Sequence, residues 1–133
     1  NIALQIGQCL TRLENYAEAL AYFYKVEYLE KNPNNARRAI AWCSFLTGKY
    51  EESLKYYKQL TSDPSVKAED WMNAGHVFRV CGNMQEAIKH YQKAHEFFPN
   101  HSEFIRMFLK DQAVLQAQGI SSEDIHIQLD LLI

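Results

Sequence analysis

Histidine, cysteine and paired carboxylates are the side chains in this chain that could hold a metal or run acid-base and nucleophilic chemistry. Of five histidines, His90 and His95 stand five residues apart. That spacing puts them on different faces of a helix, and His101 is expected in a loop, so no metal ligand set is expected. The cysteines, Cys9, Cys43 and Cys81, are odd in number and form no C-x-x-C pair. They read as reduced, mostly buried thiols, because free cysteine behaves as a small hydrophobe. Glu51-Glu52 and Glu123-Asp124 are neighbours in sequence near expected helix N-termini, where the helix dipole already accounts for them. G-x-S-x-G, a P-loop, H-E-x-x-H and an EF-hand loop are all absent from the sequence. No enzymatic activity and no cofactor are expected, which leaves a surface to carry function.

Composition narrows the kind of surface. The 133 residues suit one domain, and 47% hydrophobic with 23% charged residues is an ordinary globular balance. Fourteen Lys and Arg against sixteen Asp and Glu leave a net charge of -2. No global positive field exists to hold nucleic acid or an anionic membrane, so electrostatic recognition must be local. Charge-free stretches such as Ala39 to Gly48 are far shorter than the roughly 18 to 20 apolar residues of a membrane span, and no basic-then-apolar leader is present. A soluble chain is expected, and a cytoplasmic location follows from the missing signals and unpaired cysteines. The chain does not begin with Met and ends in Leu131-Leu132-Ile133, so a segment of a longer protein is expected.

The elements that must present that surface repeat. Tyr16, Tyr50 and Met84 are 34 residues apart, as are Glu18, Glu52 and Glu86; Ala19, Ser53 and Ala87; Leu20, Leu54 and Ile88; and Phe23, Tyr57 and Tyr91. Gly7, Ala41 and Gly75 keep the same interval, as do Val26, Leu60 and Ala94. Within each copy the apolar residues recur every three to four positions, the helical period, and each copy divides at a polar turn: Glu14-Asn15, Gly48-Lys49 and Gly82-Asn83. Asn32-Pro33-Asn34, Asp63-Pro64-Ser65 and Pro99-Asn100-His101 then end each second helix and start the next first helix. Each copy is a helix-turn-helix. The small residues mark close crossings, Gly7 with Ala19, Ala41 with Ser53 and Gly75 with Ala87, and Phe23, Tyr57 and Tyr91 fill the space beside them.

The third copy, Trp71-x-x-Ala74-Gly75-x-x-Phe78 followed by Ala87-x-x-x-Tyr91-x-x-Ala94 and Pro99, resembles the tetratricopeptide repeat (TPR) family. The second copy departs from that pattern at Arg37, Ser44 and Ser53, and the first at Ala3 and Leu10. The RNA-binding pentatricopeptide pattern fits neither the period nor the small residues. The resemblance implies an all-α fold, a right-handed α-solenoid of three helix-turn-helix units plus a C-terminal capping helix and a short final helix. It implies a single domain over 1–133, with repeats at about 1–34, 35–67 and 68–101, a capping helix at about 102–118 and a final helix at about 122–133.

It also implies a non-catalytic protein-protein interaction module whose first helices line a concave, peptide-binding groove. Carried over position by position, the groove columns fall on Leu4, Gln8 and Thr11, then on Asn35, Arg38, Trp42 and Phe45, and then on Glu69, Met72, His76 and Arg79. Arg106 and Lys110 of the capping helix continue the series with Glu103. Arg38, Trp42, Phe45, Met72, His76, Arg79, Arg106 and Lys110 are therefore the candidate groove residues, for a partner protein or peptide with apolar and acidic side chains. Leu4 and Gln8 stand where the carboxylate-clamp TPR subclass carries Lys and Asn, which argues against that subclass. Two alternatives stay open. One is self-association through the open first-repeat end and the apolar Leu129, Leu132 and Ile133 tail; the other is a regulatory appendage of a larger enzyme or of a secretion or chaperone system.

Overall fold

Three turns built alike set the local architecture. Glu14, Gly48 and Gly82, 34 residues apart, hold the left-handed backbone conformation with φ of 59°, 79° and 83°. After each, an amide reaches back five residues, from Asn15 to the Leu10 carbonyl (2.9 Å), from Lys49 to that of Ser44 (2.7 Å) and from Asn83 to that of Phe78 (2.9 Å). This closes the first helix of each pair by satisfying one of its last carbonyls. Asparagine starts several helices: the side chains of Asn1, Asn83 and Asn100 accept from the amides of Leu4, Glu86 and Glu103.

The computed structural model describes residues 1–132, and Ile133 of the apolar tail lies outside the described residues. Among the described residues there are nine helices and no strand. They are α1 (Ile2–Arg12), α2 (Tyr16–Leu29), α3 (Asn34–Leu46), α4 (Tyr50–Thr61), α5 (Ala68–Val80), α6 (Met84–Phe97), α7 (His101–Lys110), α8 (Gln112–Ala117) and α9 (Ser122–Leu132). The chain divides into two compact units, Asn1–Ser65 with α1 to α4 and a second starting at Val66 with α5 to α9.

In the first unit the crossings follow the small-residue columns. A Cβ added at Gly7 would lie 2.5 Å from Cε1 of Phe23, so only glycine lets α1 sit down on that ring. At the next crossing Ser53, fully buried, donates its hydroxyl to the Ala41 carbonyl at 2.7 Å. Ala19, Leu20, Phe23, Val26, Ile40, Phe45, Tyr57 and Leu60 form the core of this unit. Arg37, in the column that holds Trp71 in the third copy, pairs with Glu27 of α2 at 3.3 Å, and the other oxygen of Glu27 accepts from the Tyr56 hydroxyl at 2.8 Å. An ion pair with a tyrosine thus does at this joint what an indole does elsewhere.

The second unit repeats the crossing at Gly75, where an added Cβ would meet Cδ1 and Cε1 of Tyr91 at 2.8 Å. Its core joins Met72, Ala87, Tyr91, Ala94, Phe104, Phe108, Leu115, Ile125 and Leu129. The single capping helix expected over 102–118 is two helices, because the backbone turns at Asp111 (φ -88°, ψ 5°) between α7 and α8. Neither Gly nor Pro marks that break; the carboxylate of Asp111 is held by His76 of α5 (3.0 Å). Ile125 and Leu129 are buried, so α9 docks within this unit.

The expected burial of the thiols is corrected. All three cysteines are free, but only Cys43 is buried, while Cys9 and Cys81 are exposed.

Candidate peptide-binding surface

In the first unit, Trp42 projects from α3 beside a cleft of about 340 Å³ lined by Gln8, Thr11, Arg12, Phe23, Ala39, Trp42 and Cys43. Its walls are mostly carbon. Helix α1 contributes Gln8, Thr11 and Arg12, α3 contributes Ala39, Trp42 and Cys43, and the ring of Phe23 lies beneath Gly7. The half-buried indole is braced by Phe45 at a centroid distance of 5.3 Å, which limits the rotamer freedom a ligand would have to freeze. Thr11 and Cys43 approach at 3.6 Å on the floor, and burial pushes the Cys43 thiol above its ordinary pKa. This thiol is therefore a wall and not a nucleophile. Arg38, on the same helix, bonds the Ser65 carbonyl (3.0 Å) and the Asn35 side chain (3.3 Å).

In the second unit the exposed cations are on α7. Arg106 makes a two-bond contact with Glu103 one turn earlier (3.1 and 2.8 Å), which draws the Glu103 carboxyl below its usual pKa, and Lys110 is exposed. Arg79, half-buried at the end of α5, directs Nη1 at the sulfur of Met84 at 2.8 Å.

Three of the candidate groove residues are core. Phe45 is packed between Trp42 and Tyr50, Met72 lies in the core of the second unit, and His76 is completely buried. Apolar spacing on a first helix marks the buried face as readily as the open one, since such a helix is flanked by packing partners on more than one side. The surface reading narrows to Arg38, Trp42, Arg79, Arg106 and Lys110. Gln8 and Thr11, which fell on groove columns, do line the Trp42 cleft; Arg12, Phe23, Ala39 and Cys43 lie off those columns and are brought to it only by the crossing of α1 and α3.

His76 instead centres a buried chain of polar groups. Its Nδ1 lies 2.7 Å from the Tyr91 hydroxyl and its Nε2 3.0 Å from Asp111. Burial pushes the Tyr91 hydroxyl well above its ordinary pKa, so it stays protonated and donates to Nδ1 while Nε2–H donates to Asp111. Tyrosine, imidazole and carboxylate follow the order of a proton relay, yet the imidazole is sealed from solvent. The chain ties α7 and α8 to α5 and α6.

His101 is not in a loop but opens α7, and its Nδ1 meets Nε2 of His95 at 2.8 Å, an N–H···N hydrogen bond. No group of three or more His, Cys, Asp or Glu side chains among the described residues is arranged to hold a metal ion.

Helix-turn-helix copies and glycine-mediated crossings define an all-α helical-repeat scaffold of the α-solenoid class, the kind that serves protein interaction. Family models for the tetratricopeptide repeat match residues 12–67 and 68–101. The chain belongs to the tetratricopeptide repeat family. It is 33% identical over 87 residues to a TPR repeat-containing protein of Methanocaldococcus jannaschii, a match covering 60% of this chain. The chain spans only 27% of the length of that relative. Among solved structures, that of MamA superposes with a TM-score of 0.71 at 16% identity, covering 96% of this chain and 72% of that one. The C-terminal part of a TPR repeat-containing protein from Cytophaga hutchinsonii gives 0.65 at 22% identity, covering 88% and 45%. These likenesses carry the fold. No helix among the described residues is long and apolar enough to cross a membrane.

Proposed function

We propose that the chain is a non-catalytic module that binds an extended or helical peptide on the faces of its first helices, with the Trp42 cleft of the first unit as the apolar anchor point. The observation that supports this is the cleft itself: a carbon-lined space of about 340 Å³ beside a half-buried, ring-braced indole. Tryptophan anchors that fill such spaces dominate protein-peptide affinity. Arg106 and Lys110 in the second unit, and Arg38 in the first, favour acidic side chains in the ligand. Because Arg106 and Lys110 are exposed, their contribution is to encounter rate and salt dependence more than to residence time.

The test is selection of ligands from a peptide library, followed by affinity measurement with the selected peptide. The sequences recovered are expected to combine acidic with aliphatic or aromatic residues. Trp42→Ala is expected to weaken binding by about 2 kcal/mol or more, some thirtyfold, and Lys110→Ala to lower the on-rate and flatten the salt dependence. Unchanged affinity in Trp42→Ala sinks the proposal. Self-association is a second reading, favoured by Ile2, Leu13, Tyr28 and Leu29 of the first unit, which are 76%, 76%, 90% and 67% exposed. A mass independent of concentration would rule it out.

A further inference from the structure

Of the seven side chains that line the Trp42 cleft, none is acidic and one, Arg12 in the last turn of α1, is a cation. The 34-residue register puts Leu46 and Val80 at that position in the other two copies, so the repeat itself does not require a charge there. Arg12 is exposed, and among the described residues its guanidinium has a single partner, the Cys9 sulfur at 3.9 Å. A thiol is a weak acceptor and leaves the charge unanswered. The other arginines of the first unit are engaged: Arg37 pairs with Glu27 at 3.3 Å, and Arg38 bonds the Ser65 carbonyl and the Asn35 side chain. The cation that the fold leaves open to a new carboxylate is therefore the one at the cleft.

The walls say what accompanies that carboxylate. Gln8, Thr11 and Arg12 of α1 and Ala39, Trp42 and Cys43 of α3 stand at i, i+3 and i+4, so one face of each helix and the Phe23 ring of α2 enclose the space. Two of the walls, Phe23 and Trp42, are aromatic, and rings favour edge-to-face or offset contact with another ring. The volume of about 340 Å³ equals that of roughly eleven waters at about 30 Å³ each, which is room for one aromatic side chain with part of the backbone that carries it. Gln8, exposed on the α1 wall, offers the donor and the acceptor that a peptide backbone uses, which favours a peptide over a free aromatic acid.

We propose that the cleft takes the aromatic side chain of a peptide and that Arg12 pairs with an acidic residue next to that aromatic in the peptide sequence. The proposal rests on the Trp42 cleft being the anchor point. It puts the selection for acid at the anchor itself, on a residue that lies off the groove columns.

Nitrogen-15 NMR of the intact chain reads occupancy through the Trp42 indole N–H. Trp71 of the second unit is the internal control, because the chain has two tryptophans. At low salt N-acetyl-Asp-Phe-Asp-amide is expected to shift the Trp42 signal saturably and to leave Trp71 unmoved. N-acetyl-Asn-Phe-Asn-amide, nearly equal in bulk but neutral, is expected to bind about two- to fivefold more weakly, the worth of an exposed ion pair. Salt at about 0.5 M is expected to remove the difference. Arg12→Gln is expected to remove it at low salt, with the affinity for the neutral peptide unchanged. 3-Phenylpropanoate, which has the ring and the charge without a peptide, is expected to bind more weakly than the Asp peptide.

The proposal is overturned if the two peptides bind alike at low salt, if Arg12→Gln keeps the difference, or if the free acid binds as tightly as the Asp peptide. It is also overturned if the Trp42 signal of the chain alone moves with protein concentration, which would give the cleft to a second copy. Equal, saturable binding of both peptides would remove the Arg12 pairing and leave the anchor point standing, whereas failure of both to move Trp42 would remove the anchor point as well. The two peptides are compared on the unaltered chain, so the result does not depend on any variant folding.

Discussion

Gly75→Ala separates two opposed effects at one atom. In an exposed helix interior, replacing Gly by Ala stabilises by about 0.5–1 kcal/mol, because the more flexible residue loses more entropy on folding. At Gly75 the new methyl would lie 2.8 Å from Cδ1 and Cε1 of Tyr91, closer than carbon atoms pack, so ring or helix must shift. The ring is not free to do so. It is fully buried, and its hydroxyl is held at 2.7 Å by His76, whose other nitrogen is held by Asp111. Overpacking of this kind costs about 1–3 kcal/mol, and loosening the hydroxyl contact adds about 1 kcal/mol. Subtracting the helix-propensity gain leaves a net loss of about 1–3 kcal/mol. Urea unfolding followed by far-ultraviolet circular dichroism measures it. In a Tyr91→Leu background the clash disappears and the same Gly75→Ala change is expected to become neutral or stabilising. If Gly75→Ala stabilised the otherwise unaltered protein as much as it does the Tyr91→Leu variant, the close crossing would not be what requires glycine there.

The same logic gives the opposite sign at the turn column. Glu14 holds φ at 59°, where Gly48 and Gly82 stand in the other copies, so Glu14→Gly is expected to stabilise by about 0.5–1 kcal/mol in the same urea assay. A pH response is expected at the loop after α4, where Asp63 accepts from the amide (2.9 Å) and hydroxyl (2.7 Å) of Ser65, contacts that lower its pKa. A depressed folded-state pKa means the loop contacts are fully present above the ordinary Asp value of 3.8 and are lost as pH falls through the lower folded value. The Ser65 amide shift, followed by NMR, should therefore titrate with a midpoint below 3.8 and stay flat in Asp63→Asn.

What was legible in the sequence is what recurs every 34 residues. The glycine and alanine column, the aromatic beside it and the turn between the paired helices are each a local requirement repeated three times, so register alone exposes them. Orientation is not carried by register. Phe45 and Met72 stand on groove columns by position, yet both are core, because a first helix packs on more than one side and the heptad-like spacing does not say which stripe stays open. Degenerate columns were equally opaque. Arg37 reads as a missing tryptophan, and only the approach of Glu27 and Tyr56 shows that an ion pair replaces it. The break at Asp111 carries no Gly or Pro signal, and the side chain that holds its carboxylate stands 35 residues away.

The polar chemistry of the second unit gathers where the repetition stops. Asp111 and Gln128 belong to the segment after the third copy, which carries neither the small-residue nor the aromatic column. A further regular repeat would bring small and apolar columns against α5 and α6. Helices α7 to α9 instead bring a carboxylate to His76 and place the buried Gln128 in one cleft with Met84. The first of these polar groups is fully answered within the fold and acts as a tie. The Nε2 of Gln128 is not, having no acceptor among the described residues, and burying an amide donor in this way opposes folding of this segment.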